Sequence, residues 1–273
     1  MRKGQIKKYL IFMRSGYQTV LAYRGAILLW FIGAIISAVL MGLVWWAIYK
    51  SSPESTIAGF EFPQMLMYVI LSAVVSEAIY TDSMNQISED VKWGLIGMRL
   101  MKPINYRMQL LFSAMGSFLA RIIIIGVPVI TVGTLIVVFG FGLSGIQWYN
   151  IILFLPACVL SALMFDTFGF LFGQLAFRTQ AMFGVASMSQ IVMSFLSGGI
   201  VPIALFPTWA QSVLYYTPFP TLVSLPVRIF LGQVGWMEML IGFAISIAWL
   251  VALNALAHLA YKSSVKHVVV FGG

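Results

Sequence analysis

The sequence predicts an all-α, polytopic membrane protein with about six transmembrane helices, each needing roughly 20 apolar residues to cross a hydrocarbon slab about 30 Å thick. Composition is the first ground. Of the 273 residues, 61% are hydrophobic and 9% charged, whereas soluble domains average about 45–50% apolar and about 25% charged. Continuity is the second ground. Runs such as 25–49 and 122–165 hold no charged side chain, unlike the short alternating strands of about ten residues that build a membrane barrel. The third ground is the placement of the basic residues, which follows from the elements taken in order.

The leading segment 1–24 sets Ile6, Tyr9, Leu10, Met13, Tyr17, Val20 and Leu21 at helical spacing, with Lys3, Lys7, Lys8, Arg14 and Gln18 on the other face. That pattern suits an amphipathic helix lying flat at a membrane interface. The run 25–49 is too long for the apolar region of a secretory signal and is therefore a retained first span. Trp30, Trp45 and Trp46 sit toward its ends as interfacial anchors. Span two covers about 63–83, opens on Pro63, which a first helical turn tolerates, and carries Glu77 and Asp82 near its end.

The polar segment 84–107 follows, with Glu89, Asp90, Lys92, Arg99, Lys102 and Arg107. Span three is placed near 115–138 and span four near 149–172, with the glycine-rich stretch 139–145 as the turn between them. Span five runs over about 181–201. Within 202–232, Pro202, Pro207, Pro218, Pro220 and Pro226 forbid one straight helix. Lipid does not tolerate exposed irregular backbone, so this stretch forms short helices that dip against protein or lie at the outer surface. Span six is 239–261, between Glu238 and Lys262.

With the N-terminus inside, all 16 Lys and Arg except Lys50, Arg121 and Arg228 fall on the cytoplasmic side, which fixes the orientation by the positive-inside rule. The net charge of +8 is then explained by anionic lipid of the cytoplasmic leaflet. Nucleic acid is not needed as a partner.

Neither a GxxxxGK[ST] phosphate loop nor an HExxH or CxxC pattern occurs, so any ATP used must be bound by another chain. Cys158, the single cysteine, reads as packing. Ionisable groups inside a membrane are costly and default to functional candidates. Glu77, Arg121 and Asp166 each fall about six residues from the cytoplasmic end of a span, roughly 9 Å deep at 1.5 Å per residue. They read as an ion-pair cluster pinning three helices, or as a hinge or proton relay. Asn254 and His258, one turn apart, read as an interhelical hydrogen-bonding stripe rather than a metal site.

The order of parts resembles the six-span permease subunits of type-2 ABC transporters, the drug- and viologen-exporter branch. The parts are a basic helix ending in LAYR at 21–24, the loop ISEDVKWGLIGMRLMKPINYR after span two, SGGIVPIALFPTWAQSVLYYTPFPTLVSLPVRIFLG at 197–232, and a tail ending in GG. The resemblance implies a cytoplasmic coupling helix between spans two and three, seated on a separate ATPase that binds ATP and Mg. Glu89, Asp90 and Lys92 would offer it charge, and Val91, Trp93 and Leu95 would anchor it. It also implies an outer gate of short helices carrying Pro202, Pro207, Trp209, Pro218, Pro220 and Pro226.

Two copies of the ATPase and a second permease chain, identical or homologous, would complete the assembly, with spans one and five meeting the second permease. The setting it implies is a bacterial inner membrane, with both termini cytoplasmic and a hydrophobic or amphipathic substrate (drug, lipid or peptide) moved outward. Two alternatives stay open: an ion-coupled secondary transporter titrating Glu77, Asp166 and His258, and a membrane assembly factor that transports nothing.

Overall fold

In the computed structural model, residues 3–143, 145–179 and 182–264 are described, so Arg2, Ala181, Lys266 and the terminal glycines lie outside the description. The helices are α1 (Lys3–Ala22), α2 (Arg24–Ser51), α3 (Phe62–Ile79), α4 (Ser83–Lys92), α5 (Leu95–Leu100), α6 (Tyr106–Arg121), α7 (Val127–Phe141), α8 (Trp148–Gly173), α9 (Met182–Leu196), α10 (Thr208–Tyr215), α11 (Ser224–Phe230) and α12 (Trp236–Ser264). A two-stranded antiparallel ribbon, β1 (Thr56–Ile57) with β2 (Phe60–Glu61), joins α2 to α3. Among the described residues four helical stretches are long and apolar enough to cross a membrane: Phe62–Lys92, Tyr106–Phe141, Trp148–Phe177 and Trp236–Ser264. Ile35–Ser51 and Met182–Leu196 are shorter apolar helices.

Local chemistry explains where these helices begin. At α3, Glu61 and Gln64 form a reciprocal capping box, with the Glu61 amide donating to Gln64 Oε1 at 3.1 Å and Pro63 in the first turn. Both satisfy backbone donors that a helix start leaves unpaired. The helix expected near 115–138 starts earlier, at Tyr106, because Asn105 Oδ1 accepts from the Met108 amide at 3.1 Å. A five-residue π-helical turn, Ile122–Gly126, joins α6 to α7 without ending the rod.

The early start of α6 gives α1 its partner. The two helices run along each other so closely that a Cβ at Gly16 would strike the Ser113 carbonyl, and one at Gly116 the Met13 carbonyl. Small residues permit this approach. Tyr9 and Val20 are buried there, whereas Leu10, Ile11 and Leu21 stay exposed. The face of α1 expected to rest on lipid is thus divided, part against α6 and part outward.

The main core gathers Met65, Tyr68, Leu71 and Val75 of α3, Cys158, Ala162 and Met164 of α8, and Leu222 and Val227 of the proline-rich region. That region reaches far into the bundle. Phe219 stacks on Phe168 at 5.8 Å, Ser161 donates to the Thr221 carbonyl at 2.6 Å, and Trp249 Nε1 donates to the Tyr216 carbonyl at 2.7 Å. Of the two expectations for 202–232, the dip against protein describes 216–223, where the Tyr216 and Thr221 carbonyls find partners on α12 and α8. Pro202, Pro218 and Pro226 are buried, while Pro207 and Trp209 are exposed.

Candidate functional site

The intramembrane charges expected to form one cluster form two. Asp166, fully buried at 0% exposure on α8, pairs with Arg107 at the start of α6 and accepts from Ser83 Oγ at the start of α4. Arg107 also donates to Thr167 Oγ1 at 3.1 Å and lies over the Phe170 ring at 4.6 Å. From α12, Asn254 Nδ2 donates to Thr167 Oγ1 at 3.2 Å, and its Oδ1 accepts from Arg107 at 3.5 Å. Four helices meet at this knot. A buried carboxylate tolerates desolvation only when paired and hydrogen-bonded, and Asp166 has both.

Arg121, the cation of the expected three-residue cluster, stays with Glu77 on α3, while Asp166 takes Arg107. Arg121 donates to the Tyr80 carbonyl at 2.9 Å and the Glu77 carbonyl at 3.2 Å. Those carbonyls lie at the C-terminal end of α3, the negative end of the helix dipole. Its guanidinium is 3.9 Å from Glu77 Oε1, a loose pair. Sequence depth placed Asp166 and Arg121 together. Arg107 was missed because it stands within the polar segment and reads as one more exposed cation. The signal available was its position two residues after the Asn105 cap, which puts it in the first turn of a helix.

The segment expected to dock a partner divides in a similar way. Asp90 is only 2% exposed. It pairs with Arg99 at 2.7 Å and accepts from Tyr106 Oη at 2.7 Å, so it braces α4 against α5 and α6 and is not a contact surface. Val91 packs against the small core of Ile87, Ile96, Tyr106 and Leu110, and Leu95 is half-buried. Glu89 and Lys92 are exposed, with Lys92 Nζ over the Trp93 ring at 5.6 Å. Gly94, at φ 67°, makes the left-handed turn between α4 and α5, a conformation that favours glycine. Around that turn Trp93, Met98 and Met101 are 69%, 55% and 79% exposed. Met98 and Met101 were absent from the sequence-derived anchors.

Glu77 and Ala73 of α3 line two cavities. One, of about 690 Å³, lies between α2, α3 and α7 and is otherwise walled by apolar side chains such as Trp46, Leu66, Ile70 and Val132. The other, of about 340 Å³, is walled by Ser76, Tyr80, Phe165, Gln190, Ser194 and Ser197, among others. His258 is exposed and one turn from Asn254. No group of His, Cys, Asp and Glu fit for a metal occurs among the described residues.

The basic first helix, the polar loop after α3 and the proline-rich stretch 197–232 follow one another in the order on which the resemblance rests. A family model described as "ABC-2 family transporter protein" matches residues 21–270. The chain belongs to the ABC-2 transporter family. It is a membrane transport component of the permease type, and membership implies partnership with an ABC ATPase in general. No curated protein matches the chain.

Proposed function

We propose that this ABC-2 chain is the permease subunit of an ATP-driven exporter, moving a hydrophobic or amphipathic substrate outward across a bacterial inner membrane with both termini cytoplasmic. ATP and Mg would be held by two copies of a separate cytoplasmic ATPase, and a second permease chain, identical or homologous, would complete the path. Spans one and five would form the contact between permeases. In support, α9 is apolar with Phe183, Met188 and Ile191 outward, which leaves a long face for a second chain or for lipid.

The observation that carries the reading is the exposed apolar tip of Trp93, Met98 and Met101, in a segment that also carries Lys92, Arg99 and Lys102. Aromatic and Met side chains are enriched at protein interfaces. This tip is backed by the Asp90–Arg99–Tyr106 brace, and Tyr106 directly precedes Arg107, so a push on the tip reaches α6, α8 and α12 through consecutive residues. Nucleotide-driven closure of the ATPases would move this elbow as a rigid body.

The test is affinity purification of the tagged full chain in mild detergent, with identification of co-purified chains. An ATP-binding subunit is expected in the eluate of the parent chain and depleted in Trp93→Ala. Its absence, under conditions that preserve other ABC assemblies, would overturn the proposal.

A further inference from the structure

α2 and α7 both pack on α3, Gly42 approaching Leu66 and Gly133 approaching Ile70. Between them, over α3, lies the larger cavity of about 690 Å³. Its walls on α2 and α7 carry Val39, Leu43, Val132 and Ile136, each more than half exposed. The cavity is therefore a groove open along its side. Its length follows from α3, which lines it from Phe62 to Glu77, about 22 Å at 1.5 Å per residue. Half of a hydrocarbon slab is about 15 Å, so the groove takes one lipid acyl chain lengthwise.

The two ends of the groove differ in charge. At one end stands Glu77, paired with Arg121 at 3.9 Å. At the other, Phe62 touches Phe141 and Tyr49 close to Trp46, a cluster of the kind that marks the head-group level of a bilayer. Lys50 stands at this end, with its Nζ 4.8 Å from the centroid of the Trp46 ring. It is exposed and in no ion pair among the described residues.

A phosphate is attracted to the Lys50 end and repelled by the Glu77 carboxylate, which orients the chain. Beyond Lys50, the connection to α3 carries Glu54 and Glu61, both exposed, and no cation. A cation beside the groove with carboxylates beyond it complements a head group whose phosphate lies next to the chain and whose ammonium lies outside it.

We propose that the groove binds one phosphatidylethanolamine of the adjoining leaflet as a resident lipid, with an acyl chain along Val39, Leu66 and Val132, the phosphate at Lys50 and the ammonium toward Glu54 and Glu61. Lipid tails are as apolar as the groove, so packing holds the chain and the head group supplies the selectivity. Phosphatidylglycerol has no ammonium, and the choline of phosphatidylcholine has no N–H to donate. Ile36, Leu40 and Val44 stay exposed on α2 outside the groove, which leaves that face free for a second permease. The lipid is not the cargo, and its site stands whether or not an ATPase is recovered with the chain.

The test is native mass spectrometry of the delipidated full-length chain in detergent, titrated with phosphatidylethanolamine and, in competition, with phosphatidylglycerol and phosphatidylcholine of the same acyl chains. The expected result is one saturable phosphatidylethanolamine per chain, bound about threefold or more tighter than the other two lipids. Lys50→Glu, at an exposed position, and Val39→Trp, which fills the groove and leaves Lys50 in place, should each weaken that binding by about tenfold or more. Lys50→Glu decides the matter if Val39→Trp fails to fold.

Parent-like binding in either folded variant, no saturable binding, or equal or tighter binding of phosphatidylglycerol or phosphatidylcholine would overturn the proposal. So would a disulfide between two Val39→Cys chains in nanodiscs, which would seat a second copy in the groove.

Discussion

Two arginine–carboxylate pairs in this molecule have the same chemistry and opposite construction. Arg107–Asp166 is closed: the acid is fully buried, and Ser83, Thr167 and Asn254 complete the network. Arg121–Glu77 is open: its atoms are 3.9 Å apart, the arginine serves backbone carbonyls, and the acid faces two cavities. A carboxylate in a membrane protein has a brace's role when its oxygens are consumed by neighbours, and ties its helices more loosely when they are not. Sequence position distinguishes the two poorly, because both acids sit at similar distances from span ends.

Substitutions can break or sharpen this contrast. The largest effect is expected from Asp166→Ala, which strands a half-buried Arg107. Removing one partner of a buried pair costs about 3–5 kcal/mol, so thermal unfolding in detergent should show a marked drop, and Arg107→Ala with Asp166→Ala should fall short of the sum of the singles. A parent-like melting temperature for Asp166→Ala would remove the distinction between the pairs.

Next is Asp90→Ala, which deprives Arg99 and Tyr106 of their acceptor. The cost is about 1–3 kcal/mol for groups left unsatisfied, read by the same melting assay, with loss of ATPase association as a secondary effect. Equal stability with lost association would return Asp90 to the docking surface.

Glu77→Gln should lower stability less than Asp166→Ala, because the pair is long and Arg121 keeps its bonds to the Tyr80 and Glu77 carbonyls. A drop as large as that of Asp166→Ala would mean that Glu77 is as much a brace as Asp166. The smallest change in stability belongs to Trp93→Ala, within about 0.5 kcal/mol as for exposed positions, yet this variant should weaken ATPase recovery most. Co-purification quantified against melting temperature separates the two readouts.

Much of the architecture was legible in the residues. Long apolar runs, the Pro63 start, the 139–145 turn and the break at 202–226 each act within a few residues of chain, so composition and spacing suffice to place them. The helix start at Tyr106 was not placed, although its cause, the Asn105 cap, is local: one capping asparagine does not stand out in a segment whose basic residues read as a loop. Trp93 was picked out as an anchor, and the structure leaves its indole exposed. Asp90, by sequence as much a surface charge as Glu89 and Lys92, is instead buried against Arg99 and Tyr106.

By itself, then, the sequence determined an all-α membrane bundle with a basic face and a polar elbow, because solvation of the chain by lipid or water depends on residue type and periodicity. Only the tertiary structure decided which charges meet. Pairing Arg107 with Asp166, turning Arg121 onto the carbonyls of α3, and lowering Phe219 onto Phe168 all depend on helices distant in sequence arriving at the same depth and rotation. Those quantities are set by side-chain packing between helices, such as the close contact of α1 and α6 at Gly16 and Gly116, and no single segment encodes them.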